Sequence, residues 1–111
     1  MIYKDIFKQG YDYQALAWSP FREGVEIHKL YGADSGAEAA LLKYEVGAKV
    51  PRHTHAGFEH IFILEGTQSD QNGTYEAGTL VINSPSTNHD VYSKDGCVVL
   101  IIWEKPVVME N

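Results

Sequence analysis

Short apolar runs separated by turn-forming residues recur along the whole chain, and helical periodicity is weak throughout. Alternation of apolar and polar residues with a period of two is typical of strands that bury one face. The pattern predicts strands near residues 25–31, 39–46, 59–65, 79–83, 89–93 and 97–103. A short irregular or helical stretch is expected around 12–18. The elements therefore predict an all-β sandwich or barrel.

Alternation within the 39–46 run assigns its two faces. Lys43 and Glu45 are charged and are expected to face solvent, so the alternate positions point toward the interior. These interior positions are Ala40, Leu42, Tyr44 and Val46. Tyr44 is the polar exception and becomes a candidate pocket residue, although a core aromatic with a hydrogen-bonded hydroxyl is the simpler interpretation.

Two of the predicted strands are apolar on both faces. The 97–103 strand is apolar at every position, and Phe62 and Leu64 face away from the side that carries Glu59. Such strands must be covered on both sides, so we expect a homodimer. The competing explanation is that the N-terminal segment covers this face with Tyr11, Tyr13, Leu16 and Trp18.

Length and composition fit one globular domain. The chain has 111 residues, 44% of them hydrophobic, and a formal net charge of −6. Residues 1–111 are therefore predicted to form a single domain, in which a short N-terminal segment (about 1–15) precedes the barrel. The negative charge and the absence of a run of Lys or Arg argue against nucleic acid as a partner.

The longest apolar run, Cys97 to Trp103, is far shorter than a membrane span, and Met1 to Gly10 does not resemble a secretory signal. We therefore expect a cytoplasmic protein that does not contact membranes. Cys97 is the single cysteine, which excludes an internal disulfide and a cysteine-rich zinc site.

Candidate chemistry is concentrated in one segment. His53 and His55 are two residues apart, so on an extended chain both imidazoles project to one face and can bind a single ion. Glu59 follows after a short turn and adds an anionic oxygen, and His89, which follows a loop-forming run, is the best candidate for a fourth ligand. His28 falls outside this pattern, as does His60.

The same residues resemble the motifs of the cupin superfamily. The first cupin motif, G-x5-H-x-H-x3-E-x6-G, is matched at every fixed position by Gly47, His53, His55, Glu59 and Gly66. The second, G-x5-P-x-G-x2-H-x3-N, aligns on Gly78 and His89, with Ser84, Ser86 and Ser93 in place of its Pro, Gly and Asn. The departures concern turn residues rather than the ligand. The resemblance implies a jelly-roll barrel, or double-stranded β-helix, in one domain.

Within the cupins, the chain is most similar to the ChrR-type branch over about residues 15–105, a branch that includes acetylacetone-type dioxygenases. Its cues are the Pro51–His55 segment, the turn at Leu64–Gly66 and the hairpin at Asn72–Tyr75. By this resemblance, three His and one Glu hold one divalent metal ion inside the barrel. Zinc follows from the analogy with ChrR and Fe(II) from the analogy with the dioxygenases, while such a donor set suits Ni and Mn as well.

Three functions stay open on the sequence alone. In the first, the metal keeps open positions for a small chelating substrate such as a β-dicarbonyl, or for O2, and the protein is a metal-dependent oxidoreductase. In the second, the protein is a non-catalytic metal or ligand sensor related to ChrR but without its sigma-binding domain. In the third, the barrel is structural and keeps the ligands unused. The first two require a small-molecule partner.

Overall fold

The computed structural model describes residues 1–110 and contains ten strands and one short 3-10 helix, Tyr13–Ala15. The strands are β1 (Ser19–Arg22), β2 (Val25–Gly32), β3 (Glu38–Tyr44), β4 (Lys49–Thr54), β5 (Glu59–Asp70), β6 (Gly73–Glu76), β7 (Leu80–Asn83), β8 (Asn88–Tyr92), β9 (Cys97–Trp103) and β10 (Val108–Met109). The predicted all-β class is confirmed. Among the described residues, no helix is long and apolar enough to cross a membrane.

The strands pair antiparallel in the order β1-β2-β3-β9-β5-β8-β4-β10, with β6 and β7 also beside β5. The long β5 takes part in both halves of this sheet, because its residues 59–66 pair with β9 whereas its residues 67–70 pair with β6. The sheet thus curls until its two halves face each other. The radius of gyration of 13.2 Å is that of one compact unit of this length.

Two glycines of the first motif are required for different reasons. Gly66 lies where β5 passes from one half of the sheet to the other, with φ of +75°, and a Cβ there would stand 2.0 Å from the carbonyl oxygen of Gly96. Gly47 has a similar φ of +80°, but a Cβ there would meet nothing within 4 Å. Close approach of the backbone therefore excludes any side chain at Gly66, whereas only backbone conformation favours glycine at Gly47.

The interior between the two halves holds the main hydrophobic core. Ala40, Leu42 and Tyr44 of β3 point into it, as the alternation predicts, and Ile61 and Ile63 of β5 meet them there. The same face of β9 contributes Cys97, Val99, Ile101 and Trp103.

Val46 does not follow this alternation. The prediction that it faces inward is wrong, because β3 ends at Tyr44 and Val46 lies in the following turn with 76% of its surface exposed. The strand period of two stops applying where the strand stops.

A second, smaller core lies on the outer face of the sheet, where the N-terminal segment packs on it. Leu41 and Val98 are buried there beneath Ile6 and Tyr13. The Tyr13 hydroxyl donates to the Ile6 carbonyl at 2.6 Å, and Trp18 Nε1 donates to the Tyr13 carbonyl at 2.8 Å. This segment covers part of the doubly apolar strands, as the competing explanation requires. The homodimer stays a prediction.

All six predicted strands are present, and β9 begins and ends where it was expected. Four strands were not predicted: β1, β4, β6 and β10. Each of these is at most six residues long, and β1 and β4 contain a proline.

The contrast between Gly66 and Gly47 is testable. We expect Gly47→Ala to lower the free energy of unfolding by about 1–2 kcal/mol, the cost of left-handed backbone with a side chain. Gly66→Ala should lower it by about 4 kcal/mol or more, because β5 must move away from Gly96 as well. Urea denaturation of both variants gives the two values. Equal losses would show that the crossing of β5 does not depend on close packing.

Candidate metal centre

The structure brings the four predicted ligands together. His53 lies near the end of β4 directly opposite His89 of β8, His55 follows β4, and Glu59 begins β5. The side chains are buried, with exposed fractions between 2% and 5%. One ligand atom from each lies within 4.8 Å of the others. Neither His28 nor His60 belongs to the group, in agreement with the sequence pattern.

The imidazoles of His53 and His89 are each held in one tautomer by a hydrogen-bond acceptor on the side away from the other ligands. Nδ1 of His53 lies 3.0 Å from the carbonyl oxygen of Pro51, and Nδ1 of His89 lies 3.1 Å from Oδ2 of Asp70. A carbonyl and a carboxylate can only accept, so each ring carries its proton on Nδ1. The two Nε2 atoms, only 3.0 Å apart, then face each other with bare lone pairs.

His55 adopts the same tautomer through a hydroxyl. The Thr87 hydroxyl donates to the Ser84 carbonyl at 2.6 Å, so its oxygen accepts from Nδ1 of His55 at 3.0 Å. Nε2 of His55 is buried without a hydrogen bond and lies 3.2 Å from Oε1 of Glu59. All three rings therefore direct a lone pair into the same small volume.

The Glu59 carboxylate is oriented through both of its oxygens. Oε1 accepts from Nδ2 of Asn83 at 3.0 Å, and Oε2 accepts from Nε1 of Trp103 at 2.8 Å. Burial acts to raise the pKa of Glu59, but this pKa is held below its usual value, and the hydrogen bond donated by the Asn83 amide contributes to the lowering. The residue is therefore an anion beside three lone pairs.

These donors fit a divalent cation. A buried carboxylate and three bare imidazole nitrogens with no proton between them repel one another until a positive charge lies among them. Burial lowers the pKa of His53, which favours the neutral form that ligation requires. The donor set does not select among Zn, Fe(II), Ni and Mn.

Asp70, at the far end of β5 from Glu59, is a part of the centre that the sequence did not predict. It accepts from His89, from the Asn72 amide at 2.8 Å and from the Tyr75 hydroxyl at 2.8 Å. Burial acts to raise the pKa of Asp70, but these hydrogen bonds outweigh it and the pKa is lowered. Asp70 is thus an ionised positioning residue for the His89 ring. In the sequence it looks like an ordinary turn aspartate.

The departures from the second motif leave the loop before His89 intact. Ser86 adopts φ of +73° at the position where the motif has glycine, and its amide donates to the His55 carbonyl at 2.8 Å. Ser93 is fully buried and donates its hydroxyl to the Thr67 carbonyl at 2.6 Å. Ser86 therefore preserves the loop that presents His89, and Ser93 fixes the chain after β8 to β5.

His53, Glu59 and His89 lie in the wall of a cavity that opens to solvent, and the empty space in the cavity and its opening together is about 390 Å³. Its wall is mainly apolar and includes Leu42, Val50, Ile61, Val91, Ile101 and Trp103. Arg22, Tyr44 and Gln68 supply polar groups, so the structure places the candidate pocket residue Tyr44 in the wall. Burial raises the pKa of Tyr44 well above its usual value, so its hydroxyl stays protonated at neutral pH.

Comparison with known proteins agrees with this geometry. Residues 8–107 match the family model described as the ChrR Cupin-like domain. The chain belongs to this family. Among curated proteins, none matches this ChrR-like cupin at a significant level.

Solved structures share its fold. An acetylacetone dioxygenase from Acinetobacter johnsonii aligns with a TM-score of 0.79 and 18% identity, over 85% of this chain and 72% of the other. A putative acetylacetone dioxygenase from Methylibium petroleiphilum aligns with a TM-score of 0.81 and 17% identity, over 100% of this chain and 86% of the other. A chain in the Rhodobacter sphaeroides complex of SigE with the anti-sigma ChrR aligns with a TM-score of 0.75 and 26% identity, over 85% of this chain and 52% of that chain. The cupin fold is thereby established.

Removal of one ligand should abolish tight metal binding. We expect His89→Ala to weaken Zn²⁺ binding by more than about 100-fold, beyond the loss typical of outer positioning residues. His60→Ala, on the opposite face of β5, is the matched control and should bind as the wild type does. Competition with a chromophoric chelator measures both affinities. Unchanged affinity in His89→Ala would place the metal elsewhere.

Asp70→Asn tests the positioning role separately. The amide keeps the shape but loses the charge that holds the proton on Nδ1 of His89, so Zn²⁺ affinity should fall by about 10–100-fold. Asp34→Asn, at an exposed turn, should change it less than twofold. Thermal melting of the metal-free variants controls for folding. If Asp70→Asn binds zinc like the wild type, the carboxylate has no part in orienting His89.

Proposed function

We propose that this ChrR-like cupin holds one divalent metal ion on His53, His55, Glu59 and His89 and binds a small chelating organic molecule in the adjoining cavity. The observation that carries the proposal is the convergence of three bare imidazole nitrogens and one carboxylate, three of these four residues lining a mainly apolar cavity. A molecule with two nearby oxygens, such as a β-dicarbonyl, suits such a site because its remaining atoms are apolar.

The side chains around the cavity bind and orient rather than move protons. Glu59 has both oxygens engaged by donors, and Tyr44 retains its proton, so neither is available as a general base at neutral pH. The Tyr44 hydroxyl can donate a hydrogen bond to a carbonyl group of the ligand. The surrounding Leu, Val and Ile side chains exclude water from the bound molecule.

We infer that the reaction is a dioxygenation. A bound divalent ion would act as a Lewis acid toward a chelating ligand, and Fe(II) would in addition permit redox chemistry. A dioxygenase consumes one O2 per substrate molecule and retains both oxygen atoms in the products, so no external reductant is required. The proposal of this reaction class is supported by the fold that the chain shares with an acetylacetone dioxygenase and a putative one, at 18% and 17% identity.

The second candidate function is a metal or ligand sensor that performs no catalysis. It is favoured by the family to which the chain belongs and by the 26% identity with the chain in the SigE–ChrR complex. The chain spans about half of that protein's length, so the anti-sigma activity of the whole ChrR is not transferred to it.

We further propose that the protein is a homodimer. Leu80 and Ile82 of β7 are 49% and 51% exposed, and Phe58, directly before β5, is 44% exposed. Together they leave an apolar surface in water.

Oxygen consumption separates the enzyme from the sensor. The Fe(II)-loaded protein should consume O2 with at least one member of a panel of β-dicarbonyl compounds, in a one-to-one ratio with the compound lost. The Zn²⁺-loaded protein should consume none, since zinc has no redox chemistry. His89→Ala loaded with the same Fe(II) is the control. Binding of the compounds without turnover in any Fe(II) sample would favour the sensor.

A further inference from the structure

Among the described residues that line the cavity, Arg22 is the one Arg or Lys, and it is not a member of the metal centre. It ends β1, next to Phe21, and its guanidinium lies against the Phe21 ring at 5.0 Å from the centroid. Nη1 lies 3.7 Å from the thioether sulfur of Met109, which is a weak hydrogen-bond acceptor. Met109 in turn pairs with His53 across β10 and β4, so Arg22 stands at the same end of the cavity as the metal ligands.

Within residues 1–110, no carboxylate acts as a counter-ion for this guanidinium. Nε of Arg22 is buried without a hydrogen-bond partner, and within residues 1–110 Arg22 forms no ion pair with a carboxylate. The carboxylate that lines the same cavity, Glu59, is already engaged by Asn83 and Trp103. A guanidinium is charged at every physiological pH, and a buried donor without an acceptor costs free energy.

A hydrogen-bond acceptor on a bound ligand would pair with the Arg22 guanidinium. Guanidinium groups bind carboxylates through two parallel hydrogen bonds, and Nε with one terminal nitrogen forms such a pair of donors. The wall around it is mainly apolar, and its uncharged polar side chains outside the metal centre include Tyr44 and Gln68. A compact planar anion on an otherwise apolar molecule fits this wall.

We propose that Arg22 binds the carboxylate of the ligand, so that the ligand is a small organic acid whose carbonyl groups face the metal site. This inference rests on the proposed function for the metal end of the ligand and adds the chemical class of its other end. A β-dicarbonyl acid satisfies both ends.

Acetopyruvate and its methyl ester are suitable probes. Both carry the same β-dicarbonyl group, and they differ in whether the terminal carboxyl group is charged. Calorimetry with the Zn²⁺-loaded protein should show tighter binding of the acid than of the ester, by about tenfold or more. Arg22→Met should remove this preference while leaving the affinity for the ester and the zinc content unchanged. Lys94→Met, which removes one exposed positive charge outside the cavity, should retain the preference.

Two failures are distinguishable. In the first, the ester binds in a manner that depends on His89, but the wild type shows no preference for the acid, or the Arg22→Met variant keeps that preference. This result overturns the role of Arg22 and leaves the proposed function standing. If neither probe binds, the proposed function fails at the metal end. The Arg22 Nε–H resonance of the metal-free protein then decides: a shift with propionate and none with propionamide supports carboxylate binding, and no shift with either overturns it.

Discussion

The arrangement of the centre depends on where three imidazole protons are held. Each ring donates its Nδ1 proton to an acceptor on the side away from the centre: a main-chain carbonyl for His53, a threonine hydroxyl for His55 and the Asp70 carboxylate for His89. The Nε2 lone pairs are thereby forced toward one another and toward Glu59. A sequence with the same four ligands but without these acceptors would not present the same donor set, since either ring nitrogen could carry the proton.

The fold provides these acceptors because the curled sheet brings distant segments to one place. A single strand, β5, begins with Glu59 and ends with Asp70, and it contributes to both halves of the sheet. Gly66 permits that passage by letting the strand approach the backbone of Gly96. Trp103, at the end of β9, closes the arrangement by donating to Glu59. The ligands and the groups that orient them thus depend on the same few strand pairings.

The sequence predicted those features that obey a local period or a fixed spacing. Ile61 and Ile63 are buried on the face of Glu59, as alternation requires, and the first motif identified His53, His55 and Glu59 as neighbours in space. The strand β4 was missed because Pro51 and its charged neighbours give no apolar alternation, and pairing with β8 and β10 is what extends it. Its register shifts near Pro51, where a proline is tolerated in a sheet.

The contacts of Asp70 and Arg22 could not be predicted from the sequence for a different reason. Asp70 has a turn-forming composition around it, and only the pairing of β5 with β8 reveals that its side chain reaches His89. The orientation of Arg22 likewise depends on β10, more than eighty residues away in the chain. Long-range register of this kind is set by the assembled sheet, and no local pattern encodes it.

The order in which the parts of the centre occur along the chain has a consequence in the cell. A ribosome releases His53, His55 and Glu59 well before His89, and Trp103, which donates a hydrogen bond to the Glu59 carboxylate, emerges after all four. The centre is therefore incomplete until the chain has been synthesised past Trp103. An ion bound at the proposed site would be taken up by the folded centre from the exchangeable metal pool around it, so its identity would reflect the supply as much as the preference of the ligands.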